Sequence, residues 1–248
     1  MIVKGIKTRK ILPPKDDLLS VIKESIFEIK EKSIIVVTSK VVSIWQGKCI
    51  KIDKSVNKEE LIKKESDFYI DAQNVPMAGK IMLTIRDNIL IPTSGIDESN
   101  ANGYYILWPE KPFSVAKEIY NFIKKIYKIK NFGVIISDSH TMPLRTGIMG
   151  IGLAYYGFYP LRDYRGKKDI FGRELKMSQT NIVDSLAASA VYIMGEGNEQ
   201  MPLAVIEDVG DVDFIEKDFY KIDPLKISID EDIYSPLLKS VKWQKREK

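Results

Sequence analysis

Apolar residues come in short runs along the chain, and their spacing predicts a mixture of helices and strands. Residues 1–12 read as a strand that ends at Pro13-Pro14. Asp16 or Asp17 can cap a helix over residues 17–30, with Leu18, Leu19, Ile22, Ile26, Phe27 and Ile29 on one face. SIIVVTS (33–39) is a continuous apolar run of the kind carried by a strand covered on both faces. KVVSIWQGKCIKID (40–53) alternates more loosely and is expected to continue as strand, and NKEELIKKESDFYI (57–70) reads as a polar helix. Two strand-like runs flank Arg86-Asp87-Asn88, a hairpin signal. An amphipathic helix is predicted over 112–128, followed by the strand GVIIS (133–137). Asn181 can cap a strongly periodic helix that Gly195 stops, with Ile182, Val183, Leu186, Ala187, Ala190, Val191 and Met194 on its buried side. PLAVIEDVG (202–210) supplies another strand, and the last forty residues are weakly patterned. Helices and strands mix without strict βαβ alternation, so the fold class expected is α+β, with mixed sheets and packed helices.

Charge changes this picture little, except at one end. The net charge is +4, and the last ten residues, KSVKWQKREK, carry all of it, leaving 33 basic and 33 acidic residues in the rest. No basic body suits a nucleic acid, and the stretch 239–248 reads as a solvated, frayed tail. A single cysteine, Cys49, and a single histidine, His140, rule out an internal disulfide framework and sites needing several thiolates or imidazoles. A bound metal would then be held mainly by oxygen ligands, which points to magnesium or manganese. The start of the chain has no secretory apolar core and no run reaches transmembrane length, so a cytoplasmic protein without membrane contact is expected.

Three stretches place an acid where the chain is expected to turn after an apolar element: TSGIDESN (93–100), SDSHTMPLRTG (137–147) and MGEGNEQMP (194–202). They offer Asp97 with Ser99 and Asn100, Asp138 with Ser139, and Glu196 between two glycines. Separated carboxylates and hydroxyls without histidines suit hard-metal coordination around a polyphosphate. Taken singly, each acid serves equally well as a turn cap. Arg145 in PLRTG can grip a phosphate or carboxylate through a forked hydrogen bond, or simply stand at the surface. DYRGKKDIFGRELK (163–176), with Arg162 before it, gathers basic and aromatic residues that suit a planar anionic substrate or a solvated loop.

These motifs together resemble the coenzyme F-420:L-glutamate ligase family, over about Leu12 to Asp208. The resemblance is carried by VVTSKVVSIWQGK, SGIDESN, GVIISDS, PLRTGIMGIGLAYYGF, DYRGKKDIFGRELK and NIVDSLAASAVYIMGEGNEQMP. It implies the α+β F-420-0:gamma-glutamyl ligase-like fold over residues 1–248 as one unit, with room for two subdomains, in an intertwined homodimer. It implies an enzyme that spends GTP, or ATP, with Mg2+ or Mn2+ and room for K+, to join L-glutamate to an acceptor carboxylate. By position, Asp97, Asp138, Ser139 and Glu196 match its metal ligands, with Asp97, Asp138 and Arg145 in the catalytic role. Nucleotide contacts carried over are Leu12, Pro13, Pro14, Ser39, Lys40, Asn100, Met194, Gly195, Gly197, Asn198, Glu199, Gln200 and Met201. Two departures stand out: Ile44 replaces a lysine expected to face phosphate, and Gln46 replaces an acid. SHTMPLRTG and DYRGKKDIFGR look more like a bacterial branch with a folate acceptor, and a non-catalytic nucleotide-binding protein of the same fold is the other alternative.

Overall fold

The computed structural model describes residues 1–71 and 81–246. Its centre is a five-stranded sheet in the order β1 (Ile2–Ile6), β12 (Leu203–Glu207), β2 (Ser33–Thr38), β8 (Phe132–Thr141), β9 (Ile148–Tyr156). Only β2 and β8 run parallel; the other neighbours are antiparallel. The run SIIVVT forms β2 and is buried along almost its whole length, as expected of a strand with covered faces. Helices α4 (Pro112–Tyr127) and α5 (Ile182–Met194) pack on this sheet, and their apolar positions merge with β2, β8 and β12 into the main core.

The glycine-rich run after Gly147 has a simple cause. It forms β9, onto which α5 lies flush: a Cβ on Gly150 would meet the Ala187 carbonyl oxygen at 2.4 Å, and one on Gly152 would meet Val183 at 2.2 Å. A second, four-stranded sheet runs β13 (Gln244–Lys245), β4 (Phe68–Ile70), β5 (Leu83–Arg86), β6 (Ile89–Pro92). Its β5–β6 hairpin turns on Asp87 and Asn88, both at positive φ, the two-residue turn that matches strand twist. Two small ribbons, β3 (Cys49–Lys51) with β7 (Tyr104–Ile106) and β10 (Leu161–Asp163) with β11 (Gln179–Asn181), complete the described strands. The remaining helices are α1 (Leu18–Ser25), α2 (Ser39–Gln46), α3 (Lys58–Glu65) and α6 (Ser235–Lys239). The mixed architecture is the α+β class expected.

Several boundaries differ from the pattern. β1 ends at Ile6, short of the expected 1–12. Residues 39–46 are a helix, not strand. Val41, Val42 and Ile44 bury one side of it, and Gly47 ends it at φ 72° while its N–H and that of Lys48 close back on Ile44 and Ser43. That paired closure is the Schellman stop, and the glycine was its sequence signal. α1 stops at Ser25: Ile26 and Ile29 reach the core from extended chain, leaving Phe27 at 90% exposure. The polar helix ends at Glu65, and Phe68–Ile70 is strand. β8 runs on through Thr141, so Asp138, Ser139 and His140 sit on a strand and the turn begins at Met142. The basic end is not frayed up to Arg246: Gln244 and Lys245 pair with Tyr69 and Phe68, and the last two residues lie outside the described chain.

Candidate functional site

The three acids come from three different elements. Asp97 follows a turn, Thr93–Gly95, whose three residues all have positive φ, of 52°, 54° and 67°. Such a left-handed turn costs roughly 1–2 kcal/mol per non-glycine residue, and buried polar contacts hold it. Ser94 is fully buried, its N–H donating to Thr84 Oγ1 (2.9 Å) and its hydroxyl to the Ile62 carbonyl (3.1 Å). Thr93 N–H donates to the Met82 carbonyl at 2.7 Å. Beyond the turn, Asp97 pairs with Ile106 through both backbone groups. Gly95 is required by space as well as by φ: a Cβ there would sit 2.5 Å from the Trp108 ring and 3.4 Å from Asp138 Oδ2. That near contact brings the Asp97 turn beside Asp138.

Lys40, in the first turn of α2, spans the site. Its Nζ lies 2.6 Å from Asp97 Oδ2 and donates to the carbonyl (3.1 Å) and hydroxyl (3.2 Å) of Ser99. The other Asp97 oxygen accepts from Ser99 N–H (2.7 Å) and Oγ–H (2.8 Å). Burial pushes the Asp97 carboxyl up, but Lys40 and Ser99 outweigh it and hold its pKa below the usual value.

Asp138 behaves in the opposite way. Burial raises its pKa to about 7; the Ser139 N–H (2.8 Å to Oδ1), the nearby Ser39 hydroxyl and Lys40 oppose the rise, and Asp97 adds to it. Its Oδ2 is buried and has no hydrogen-bond partner among the described residues. Glu196 follows α5. Its residue is exposed, yet its carboxyl is partly desolvated among neighbours, which raises its pKa; Lys40 opposes this, and Asp97 and Glu199 add to it. The Asn100 amide, from a residue at φ 52°, donates to the Gly197 carbonyl at 2.7 Å and ties the Asp97 turn to the Glu196 loop. Glu199 closes that loop by accepting from Gly197 N–H at 2.8 Å, and its carboxylate lies against Gly195, whose φ of 76° favours glycine there.

Three carboxylates therefore share one neighbourhood with one ammonium. Among the described residues, no three acidic, histidine or cysteine side chains form a ready-made metal cage. The donor set nevertheless fits a hard divalent ion of the magnesium type, which takes few protein carboxylates and completes its shell with water and phosphate oxygens. The buried Asp138 Oδ2, without a hydrogen-bond partner among the described residues, is the donor atom on which that fit rests.

The family model described as F420-0:Gamma-glutamyl ligase matches residues 5–208. The chain belongs to this family. Among its relatives, the Coenzyme F420:L-glutamate ligase of Methanocaldococcus jannaschii is 34% identical over 192 residues, 73% of this chain and 77% of that protein. The protein of the same name from Methanococcus maripaludis strain C7 is 34% identical over 201 residues, 79% of this chain and 77% of its own. That from Methanopyrus kandleri is 30% identical over 228 residues, 81% and 87% respectively.

The other residues carried over from the family resemblance fall into distinct settings. Ser39 is buried at the start of α2, on the Asp138 side. Ser139 pairs with Gly150, which faces α5, so its side chain lies on the opposite side of β8 from Asp138; what it gives Asp138 is its N–H. Met194 is 2% exposed and belongs to the main core, and Met201 packs against that core. Gln200 accepts from Thr8 N–H at 2.9 Å, which sets the 197–201 segment beside the chain leading to Leu12, Pro13 and Pro14. That chain is clamped by Arg9, which donates twice to Asp16 at 2.7 Å while Asp16 accepts from Leu12 N–H. Leu12 and Pro14 are exposed and Pro13 is buried. Asn198 lies in the exposed loop with Glu196. Arg145 stands at the exposed β8–β9 tip, and its side chain makes no hydrogen bond or ion pair among the described residues.

Ile44, which replaces the expected lysine, is a core residue. It is 2% exposed on the inner side of α2, packed with Ala101 and Ile106 under the Asp97–Asn100 turn. Gln46 grips the backbone of Glu110 through both its amide atoms, each at 2.8 Å. His140 is half-buried, and burial holds its pKa below the usual value against the opposing charge of Asp184. Sequence reasoning missed Trp108, the wall of the turn, because nothing near position 108 carries a motif. It also missed the ion pair between Lys40 and Asp97, whose partners are 57 positions apart and meet only through the fold.

Proposed function

We propose that the protein is a nucleotide- and divalent-metal-dependent ligase that joins L-glutamate, in γ-linkage, to the carboxylate of an F-420-precursor-type acceptor. Family membership supports the reaction class, and the names of the relatives support the acceptor. The observation that carries the reading in this chain is the meeting of Asp97, Asp138 and Glu196 around Lys40, with one buried carboxylate oxygen that has no partner among the described residues.

In this reading, the acceptor carboxylate attacks the γ-phosphate of GTP or ATP, breaks the bond to the β-phosphate, and forms an acyl phosphate while GDP or ADP leaves. The amine of glutamate then attacks the acyl carbon, phosphate leaves, and the amine proton passes to solvent or a site carboxylate. A divalent ion held by Asp97, Asp138 and Glu196, with the backbone at Ser139 beside it, would neutralise charge on the phosphate oxygens. The first-turn N–H groups of α2, which have no side-chain cap, favour an anion at that end of the helix. The 195–201 loop and residues 12–14 offer two walls for the nucleotide. Arg145 and the basic β10–β11 ribbon are the groups left to hold the acceptor.

A second acceptor, folate, is favoured by SHTMPLRTG and DYRGKKDIFGR, both of which fall on exposed hairpins. One assay tests both. Purified protein is incubated with glutamate, Mg2+ or Mn2+, GTP or ATP, and either the F-420 precursor or tetrahydrofolate. Product mass rising by one glutamyl unit with the F-420 precursor is the expected outcome. A rise with folate alone would move the acceptor, and nucleotide binding without any product would make the chain a non-catalytic binder.

A further inference from the structure

Lys40 is already engaged at both Asp97 and Ser99. Its ammonium lies 2.6 Å from Asp97 Oδ2 as an ion pair and donates to the Ser99 carbonyl and hydroxyl. Asp97 is engaged in return, with Ser99 on one oxygen and Lys40 on the other. Asp138 Oδ2, by contrast, has no hydrogen-bond partner among the described residues. A divalent ion drawn to Asp97 would compete with the ammonium for its charge, because two cations beside one carboxylate repel in a partly desolvated site. Lys40 stands in the first turn of α2 on a flexible four-carbon stem, so it can leave Asp97 without any backbone change.

We propose that Lys40 is the resident cation of this site: it neutralises Asp97 until a divalent ion arrives, and is only then released for the nucleotide contact that the family resemblance gives it. The proposal rests on the metal and nucleotide reading above. It makes Lys40 a positioning residue that competes with one ligand and helps the other, so its removal should change the two affinities in opposite directions.

The test uses full-length protein and Mn2+, with free ion followed by electron paramagnetic resonance, and a non-hydrolysable GTP analogue titrated at saturating Mn2+. Lys40→Gln and Lys40→Met should each bind Mn2+ alone about tenfold more tightly and the nucleotide analogue about tenfold more weakly. Lys40→Arg, which keeps the charge, should bind Mn2+ no more tightly than the wild type. A purely structural role would weaken both ligands together. In the wild type, acetylation of Lys40 followed by mass spectrometry should speed up on adding Mg2+ and slow again with the nucleotide analogue, a readout that needs no variant to fold. Mn2+ affinity unchanged or weaker in both neutral variants, or acetylation indifferent to Mg2+, overturns the proposal. Failure of the site reading looks different: wild type and Asp138→Asn would then take up Mn2+ equally, or neither would.

Discussion

Asp138 is where chemistry and stability pull against each other. Its folded pKa of about 7 lies well above the usual carboxylate value, with burial as the main cause and Asp97 adding to it. A raised folded pKa favours the folded state below the unfolded pKa of about 4 and loses that contribution as pH rises through about 7. Metal-free protein should therefore lose stability between about pH 4 and pH 7 through this residue. Asp138→Asn, which cannot ionise, should escape that loss, so its melting temperature in chelator should exceed the wild type's by a margin that grows up to about pH 7. The same variant should lose ligase activity by about a hundredfold or more, since the removed charge is the one aimed at the cation. More stable and nearly inactive is the expected pair; near-normal turnover would remove Asp138 from the site. Gly95 gives the complementary case. Gly95→Ala puts a methyl group into the Trp108 ring at φ 67°, which should cost about 1–3 kcal/mol by urea unfolding and weaken Mn2+ binding by moving the Asp97 turn.

Whole elements were legible where local chemistry decides them. Asn181 caps α5 as its side chain suggests, accepting from Asp184 N–H at 3.0 Å, and Gly195 ends the helix. The 112–128 helix and the Asp87-Asn88 hairpin lie where periodicity and turn residues put them. The misreading of residues 40–46 has a clear cause: β-branched runs read as strand whether or not a strand partner exists. Val41 and Val42 follow β2 directly, and only the closure at Gly47 shows that the chain has coiled. The strand reading of GVIIS stopped at Ser137 because polarity begins there, yet pairing with β9 continues to Thr141. Polar residues on that part of β8 mark a strand that reaches past its core into the site. The site itself was legible as three acids, but its cation and its aromatic wall were not, since both depend on contacts between distant segments. At α5, the cap does more than start a helix, because Asp184 also accepts from Gly152 N–H at 2.9 Å and fastens the helix to β9. Asn181→Ala should therefore cost about 1–2 kcal/mol in urea unfolding, at the upper end for a lost cap. A change below about 0.3 kcal/mol would show that packing alone sets the register of α5 on β9.

At the scale of the molecule, the segment after Glu207 joins the two larger sheets, although it lies almost wholly beyond the residues that match the family. Phe219 is buried against Tyr155 of β9, whose hydroxyl donates to Asp223 at 2.7 Å. The Ile227 carbonyl accepts from Asn88 at the tip of the β5–β6 hairpin (2.9 Å). β13 then pairs along β4, Arg246 reaches the Lys64 carbonyl at 3.2 Å, and the Trp243 indole closes on Leu238. The chain thus runs from the main sheet to the sheet whose β6 leads into the Asp97 turn. Because the basic end is pinned by backbone pairing, its charge is incidental to its placement. Two truncations separate what this strap contributes. Removal of 240–248 takes away β13 with the Trp243 and Arg246 contacts around it, and should lower the melting temperature by roughly 3–6 °C, the size of a loss of about 1–2 kcal/mol in a chain of this length, with Mn2+ affinity unchanged. Removal of 227–248 also frees the β5–β6 hairpin, and should lower the melting temperature further and weaken Mn2+ binding, because Asp97 is then held against Asp138 by fewer contacts. Equal Mn2+ affinity in both truncations would show that the Thr93–Gly95 turn, through Thr84, Ile62 and Trp108, is enough to hold Asp97 in place.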